Sequence, residues 1–258
     1  MEISPQIKEF LVFGAKQAKA CVFAGSFFLV LAASNVIPLF GLPRYDFLFI
    51  AALLIQLVLV ISRLETKEEL GMIMMFHVIG FCLELFKTSP AIGSWSYPEA
   101  AFFKVAGVPL YSGFMYSAVG SYVGQAWKIF KLEVTDYPSY WFSLPLAVAL
   151  YANFFTHHFI LDLRWLLIAL VALVFNKTKV SFVVTDKRRG MRLLAAFALI
   201  AFFIWVAENI STYLGAWVYP YQTLVWSPVE LGKISSWFML VIISIILVAH
   251  IKLNKKLS

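Results

Sequence analysis

The sequence predicts an all-α, polytopic membrane helix bundle, and three observations carry that prediction. Hydrophobic residues make up 62% of the 258 positions and charged residues 14%, against roughly 45–50% and about 25% in soluble domains. Apolar runs long enough to cross a hydrocarbon core of about 30 Å recur along the whole chain. Lys and Arg gather in alternate connections, as the positive-inside rule requires. The mean hydropathy of +0.84 agrees with all three.

Taken in order, the apolar runs lie at 20–40, 46–62, 70–88, 107–130, 140–157, 160–175, 191–211 and 233–251, which gives about eight transmembrane helices. The first follows a mixed-charge segment and is long enough to span, so it reads as a retained helix and not as a cleaved signal. The fourth carries Gly113, Ser117, Ser121 and Gln125 at four-residue intervals, with Gly120 and Gly124 in a second small-residue row. Such a face lets a partner helix approach closely. If that partner is the third run, Ser112, Tyr116 and Ser117 lie near Glu84. The connection between the fifth and sixth runs is very short and crowds His157, His158, Asp162 and Arg164. The basic stretch Thr178–Gly190 reads as a loop containing a short extended piece against the lipid headgroups.

Charge sets the orientation. With the N-terminus inside, the outer connections hold only Arg44, Lys87, Lys104, Arg164 and Lys233 of the 21 Lys and Arg. The others, among them Lys187, Arg188, Arg189, Arg192, Lys252, Lys255 and Lys256, fall inside, so both termini are expected in the cytoplasm. The net charge of +7 then needs anionic headgroups and no nucleic acid. The two cysteines, Cys21 and Cys82, fall on opposite sides and cannot pair.

The most informative feature is a pattern written twice. ELFKTSPAIGSWSYP, from Glu84 to Pro98, returns as ENISTYLGAWVYP, from Glu208 to Pro220. In each copy a glutamate near a helix end is followed by a threonine (Thr88, Thr212) and by Gly-x-Trp-x-Tyr-Pro, with Trp95 and Tyr97 in one and Trp217 and Tyr219 in the other. The glutamates fall four runs apart, which means the same orientation. The chain 1–258 therefore reads as one integral membrane domain built as a parallel four-plus-four duplication, with halves 1–131 and 132–258.

Acids within a membrane are costly and are functional candidates. Glu84 and Glu208 lie about 21 and 24 Å from the starts of their helices, in the outer third. His77, Gly80, Glu84 and Thr88 share one helical stripe, and His77 reads either as a catalyst or as a structural hydrogen-bonding residue. Lys87 either holds Glu84 or reaches to the interface. Gly93 and Gly215 permit a positive φ, and Pro98 and Pro220 force an extended residue before them. A fixed loop folded over each glutamate follows. The outer His, Asp and Glu residues match no ligand spacing, so neither a metal nor a cofactor is expected.

FHVIGFCLELFKT, GSWSYPE, GVPLYSGFMYSAVGSYV and WVAENISTYLGAWVYP resemble the bacterial membrane proteins grouped as domain of unknown function eight-one-seven. That resemblance implies a multi-pass protein of the bacterial inner membrane and supplies no activity. Glu84, Gly93, Trp95, Tyr97, Val108 and Pro109 are also loosely similar to carotenoid hydratases and small membrane lycopene cyclases. Two functions stay open. One is a membrane-embedded enzyme in which Glu84, Glu208 and His77 perform acid-base chemistry on a lipid or isoprenoid lined by the aromatic residues, Tyr116 and Ser117. The other is a proton- or cation-coupled transporter or ligand-binding protein for a small solute. Oligomeric state is left open.

Overall fold

The computed structural model describes residues 4–254. It is mostly helical, with nine α-helices among the described residues: α1 (Pro5–Ala20), α2 (Val22–Ala33), α3 (Arg44–Ile61), α4 (Lys67–Lys87), α5 (Ser112–Ile129), α6 (Tyr140–Thr156), α7 (Arg164–Val174), α8 (Leu193–Tyr213) and α9 (Lys233–Asn254). Each of the eight apolar runs contains one helix, α2 to α9. By length and composition four of these can cross a membrane, namely α3, α4, α8 and Lys233–His250 of α9, or five if α1 and α2, bent by 73°, form one span. With 12 and 11 residues, α2 and α7 measure only about 18 and 17 Å.

Helix α1 lies in the mixed-charge segment where the sequence predicts no helix. Ser4 caps it, accepting from the Ile7 amide, and Pro5 occupies the first turn, where its missing N–H costs nothing. The all-α prediction needs a second correction. Two small antiparallel sheets are present, one of β1 (Lys104–Val105) with β2 (Val108–Pro109) and one of β3 (Glu133–Thr135), β4 (Lys179–Val183) and β5 (Arg188–Arg192) in that order. The first hairpin occupies the start of the predicted fourth span, because Ala106 and Gly107 both adopt positive φ and turn the chain back. The second is the extended piece expected in the basic stretch. Lys255 and Lys256 lie outside the described residues.

The connections gather at two ends. The hairpin end holds α1, the three-stranded sheet and the start of α4, and the signature end holds both Gly-x-Trp-x-Tyr-Pro loops. Those loops pair with each other: Ser96 and Val218 exchange backbone hydrogen bonds of 2.9 and 3.0 Å. Each stands between the Trp and the Tyr of its own copy. Arg44 fastens the second loop to the start of α3 by donating to the Leu214 and Gly215 carbonyls while pairing with Glu99 at 2.6 Å.

Helix α4 starts with a capping box, Thr66 and Glu69 satisfying one another's backbone N–H. It packs antiparallel on α5, and glycines set the separation. A Cβ at Gly120 would fall 2.5 Å from the Phe76 ring, and one at Gly113 would fall 2.7 Å from His77. At Gly80 it would stand 2.2 Å from Cγ of Tyr116. The small-residue rows are thus a packing seam. Gly80→Ala is expected to push Tyr116 aside and cost about 1–3 kcal/mol, measured as a lower melting temperature in detergent. Gly14→Ala, with nothing within 4 Å, should leave that temperature unchanged or raised.

Candidate functional site

The site grows from the end of α4. Glu84 is 2% exposed, and a buried carboxyl must find its hydrogen bonds inside the protein. Three side chains supply them. Trp95 Nε1 donates to Oε2 at 2.7 Å, Tyr97 Oη to the same oxygen at 2.8 Å and Tyr116 Oη to Oε1 at 2.8 Å. Two of these come from the signature loop, which Gly93, at φ +57, turns back over the helix end. The third comes from α5 through the space left by Gly80.

Glu208 on α8 repeats the arrangement. It is 4% exposed. Tyr219 donates to Oε1 at 2.5 Å and Trp237, on the first turns of α9, to Oε2 at 2.7 Å. Gly215 has φ +74 and turns the second loop as Gly93 turns the first. Each tyrosine of the doubled signature therefore serves its own glutamate. Both carboxyls face one cavity of about 280 Å³, lined also by Lys87, Trp95, Tyr116, His157, Arg164, Trp217, Tyr219, Glu230, Lys233 and Trp237.

Lys233 is the residue that the sequence reading passed over. Its ammonium lies 5.2 Å from the Trp95 ring centre and 4.6 Å from that of Tyr219, so it touches one aromatic from each signature copy by cation–π attraction. Among the described residues it forms no salt bridge. Its position three residues after Glu230 and four before Trp237, opening the helix that follows the second signature, was the available signal.

The remaining expected residues make contacts that their spacing does not name. Lys87 reaches neither Glu84 nor the surface. It is 6% exposed, and its ammonium lies 2.7 Å from Nε2 of His158 and 3.4 Å from Nε2 of His157. His157 Nδ1 contacts the Asn153 carbonyl at 2.7 Å, so that nitrogen carries the proton and Nε2 is free to accept. Thr88 donates to the Glu84 carbonyl and Thr212 to that of Asn209, so both close helix ends and do not enter the cavity. Ser117 donates to the Ile73 carbonyl across the α4–α5 seam. His77 lies below, its ring 4.6 Å from that of Phe114, and Nδ1 has no partner. It does not line the cavity.

The end that holds the three-stranded sheet carries a polar seam. Glu65 is 2% exposed and accepts from Gln56 and Ser121, both at 2.5 Å, while Lys128 pairs with Glu69 at 2.8 Å. The space between these helices admits no water molecule. Among the described residues no group of three His, Cys, Asp or Glu could hold a metal ion.

With this geometry in hand, comparison with known proteins identifies the family. Residues 9–245 match the family described as protein of unknown function (DUF817). The chain belongs to this family. It is 52% identical over 252 residues to the uncharacterized protein YoaT of Bacillus subtilis (strain 168), covering 98% of this chain and 95% of that protein. No solved structure matches. This member of the family joins several helices of membrane-spanning length to a cavity whose acids are held by aromatic donors.

Two outcomes test the site. Tyr97→Phe removes one of three donors to Glu84 and should cost about 0.5–1.5 kcal/mol, whereas Glu84→Leu strands three buried donors and should cost about 3 kcal/mol or more. Detergent melting temperatures of the two variants should rank accordingly. The second concerns pH. Burial of part of its ring and the neighbouring Lys87 ammonium push His158 from 6.5 down to about 4. The folded protein therefore takes up this proton less readily than the unfolded chain, so stability is complete above pH 6.5 and falls as pH drops toward 4. His158→Asn should flatten the melting curve's dependence across that window.

Proposed function

We propose that this is an eight-span protein of the bacterial cytoplasmic membrane, with both termini inside, that binds a small polar solute in a cavity at the outer end of its bundle. The span count is supported by one helix in each apolar run, and the orientation by the distribution of Lys and Arg. A parallel four-plus-four duplication is supported by the bridge between Ser96 and Val218, equivalent positions of the two copies, and by the matching bonds from Tyr97 to Glu84 and from Tyr219 to Glu208.

The observation that carries the solute reading is that charges in the cavity are held apart. Glu84 and Glu208 are bonded by neutral N–H and O–H donors, Lys233 rests on aromatic rings, and Lys87 rests on imidazoles. Charged groups held apart around one cavity remain available to a ligand. A cavity of about 280 Å³, at the small end of the range for ligand pockets, suits a small solute better than a long isoprenoid. Carboxyls that already accept three and two hydrogen bonds are poorly placed to protonate a double bond, so acid-base chemistry on a lipid is the weaker reading.

The test is native mass spectrometry of the protein in lipid nanodiscs after exposure to the polar fraction, and separately to the lipid fraction, of a bacterial extract. Retention of a polar solute by wild type, weakened about tenfold or more in a Trp237→Phe, Tyr219→Phe double variant, is expected. Retention of an isoprenoid alone, with that species accumulating in a deletion strain, would replace this reading with the enzymatic one.

A further inference from the structure

We propose that the cavity recognises its solute by an oxyanion group, a carboxylate or a phosphate, received by Lys233, Arg164 and Lys87. This rests on the solute-binding reading above and names the ligand's chemistry.

Donors and acceptors around the cavity are unequally satisfied. The two buried carboxyls that face the cavity are largely satisfied: both oxygens of Glu84 and both oxygens of Glu208 already accept hydrogen bonds. The cations are not. Lys233 has three N–H donors, and among the described residues none of them meets a hydrogen-bond acceptor; its ammonium contacts only ring faces. Lys87 has two imidazole neighbours for three N–H groups. Arg164 places Nη1 on Ser235 and Nη2 near Asp162 at 3.4 Å, while its Nε, inaccessible to solvent, has no partner.

All three side chains line the same cavity. Apart from the exposed Glu230 carboxylate, the capacity left over is chiefly of the donor kind, and a ligand completes it by bringing acceptors. A solute cation would meet carboxylate oxygens that aromatic donors already engage. An oxyanion would give Lys233 the hydrogen-bonded partner it lacks, and charge-assisted bonds of this kind are stronger than neutral ones. The rings of Trp95, Tyr219 and Trp237 leave an aromatic wall for the rest of the solute.

The source is either a free anion or the phosphate of a lipid headgroup, and the experiment separates them. The full chain in phosphatidylcholine nanodiscs is titrated with inorganic phosphate, acetate and choline at constant ionic strength, read by tryptophan fluorescence. Saturable binding of phosphate or acetate, and not of choline, is expected. Lys233→Gln and Arg164→Gln should each weaken it about tenfold or more, while Lys233→Arg stays within about threefold. Lys177→Gln, remote from the cavity, should bind as wild type, and matched melting temperatures show that the variants fold.

Phosphate binding that is abolished when phosphatidylglycerol is included in the nanodisc assigns the site to a lipid headgroup and supports the oxyanion assignment. Saturation by choline alone, or anion binding indifferent to Lys233 and Arg164, overturns that assignment while leaving a solute site in place. No retained solute of any charge in the mass-spectrometric test removes the underlying reading itself.

Discussion

A carboxyl buried in an apolar bundle has to draw its hydrogen bonds from the chain, and that requirement organises the signature end of this protein. Glu84 obtains three donors from places far apart in sequence. Trp95 and Tyr97 reach it only if the loop after α4 folds back over the helix end. Tyr116 reaches it only if α5 lies close against α4, which Gly80 permits by lacking a Cβ. Loop conformation, helix separation and acid placement are thus one constraint. An unmet donor or acceptor at that depth costs about 1–3 kcal/mol, enough to make each part depend on the others.

The same logic, used a second time at Glu208, joins the two signature regions. The loops meet through the Ser96–Val218 bridge, Tyr111 donates to the Ala216 carbonyl, and Arg44 fixes the chain around Gly215. Lys233 then rests against Trp95 and Tyr219 together. Because aromatic N–H and O–H groups satisfy the acids and the lysine rests on aromatic faces, the acids and the lysine share a cavity without collapsing into an ion pair. An exposed ion pair would contribute little, whereas groups held apart around a cavity stay available to a ligand.

Much of this was legible in the chain. The doubled signature located both glutamates, the positive φ of Gly93 and Gly215 and the loops folded over the acids. The four-residue rhythm of Gly113, Ser117 and Ser121 marked the α4–α5 seam and placed Tyr116 beside Glu84. The failures have physical causes. Thr88 and Thr212 share the register of their glutamates, but a hydroxyl near a helix end bonds more readily to the carbonyl one turn back. His77 follows the stripe of Glu84 yet lies against Phe114, because a helical stripe gives direction without saying what stands opposite. Helix α1 escaped a search for long apolar runs because its apolar residues, among them Phe10 and Leu11, are interleaved with lysines. Glu65, in the connection before α4, is buried because Gln56 and Ser121 both donate to it, and no spacing in the sequence pairs these three.

By itself the sequence determined the local quantities: which segments are apolar and helical, where turns require glycine, which end carries the acids and how often the motif recurs. Each of these depends on composition or spacing within a few turns of chain. Only the tertiary structure decided that both acids face one cavity, that Lys233 lies between aromatics of the two copies and that Lys87 turns to His157 and His158. Those facts depend on how distant segments approach, and the approach is set by close contacts such as Gly80 against Tyr116, whose partner no periodicity names.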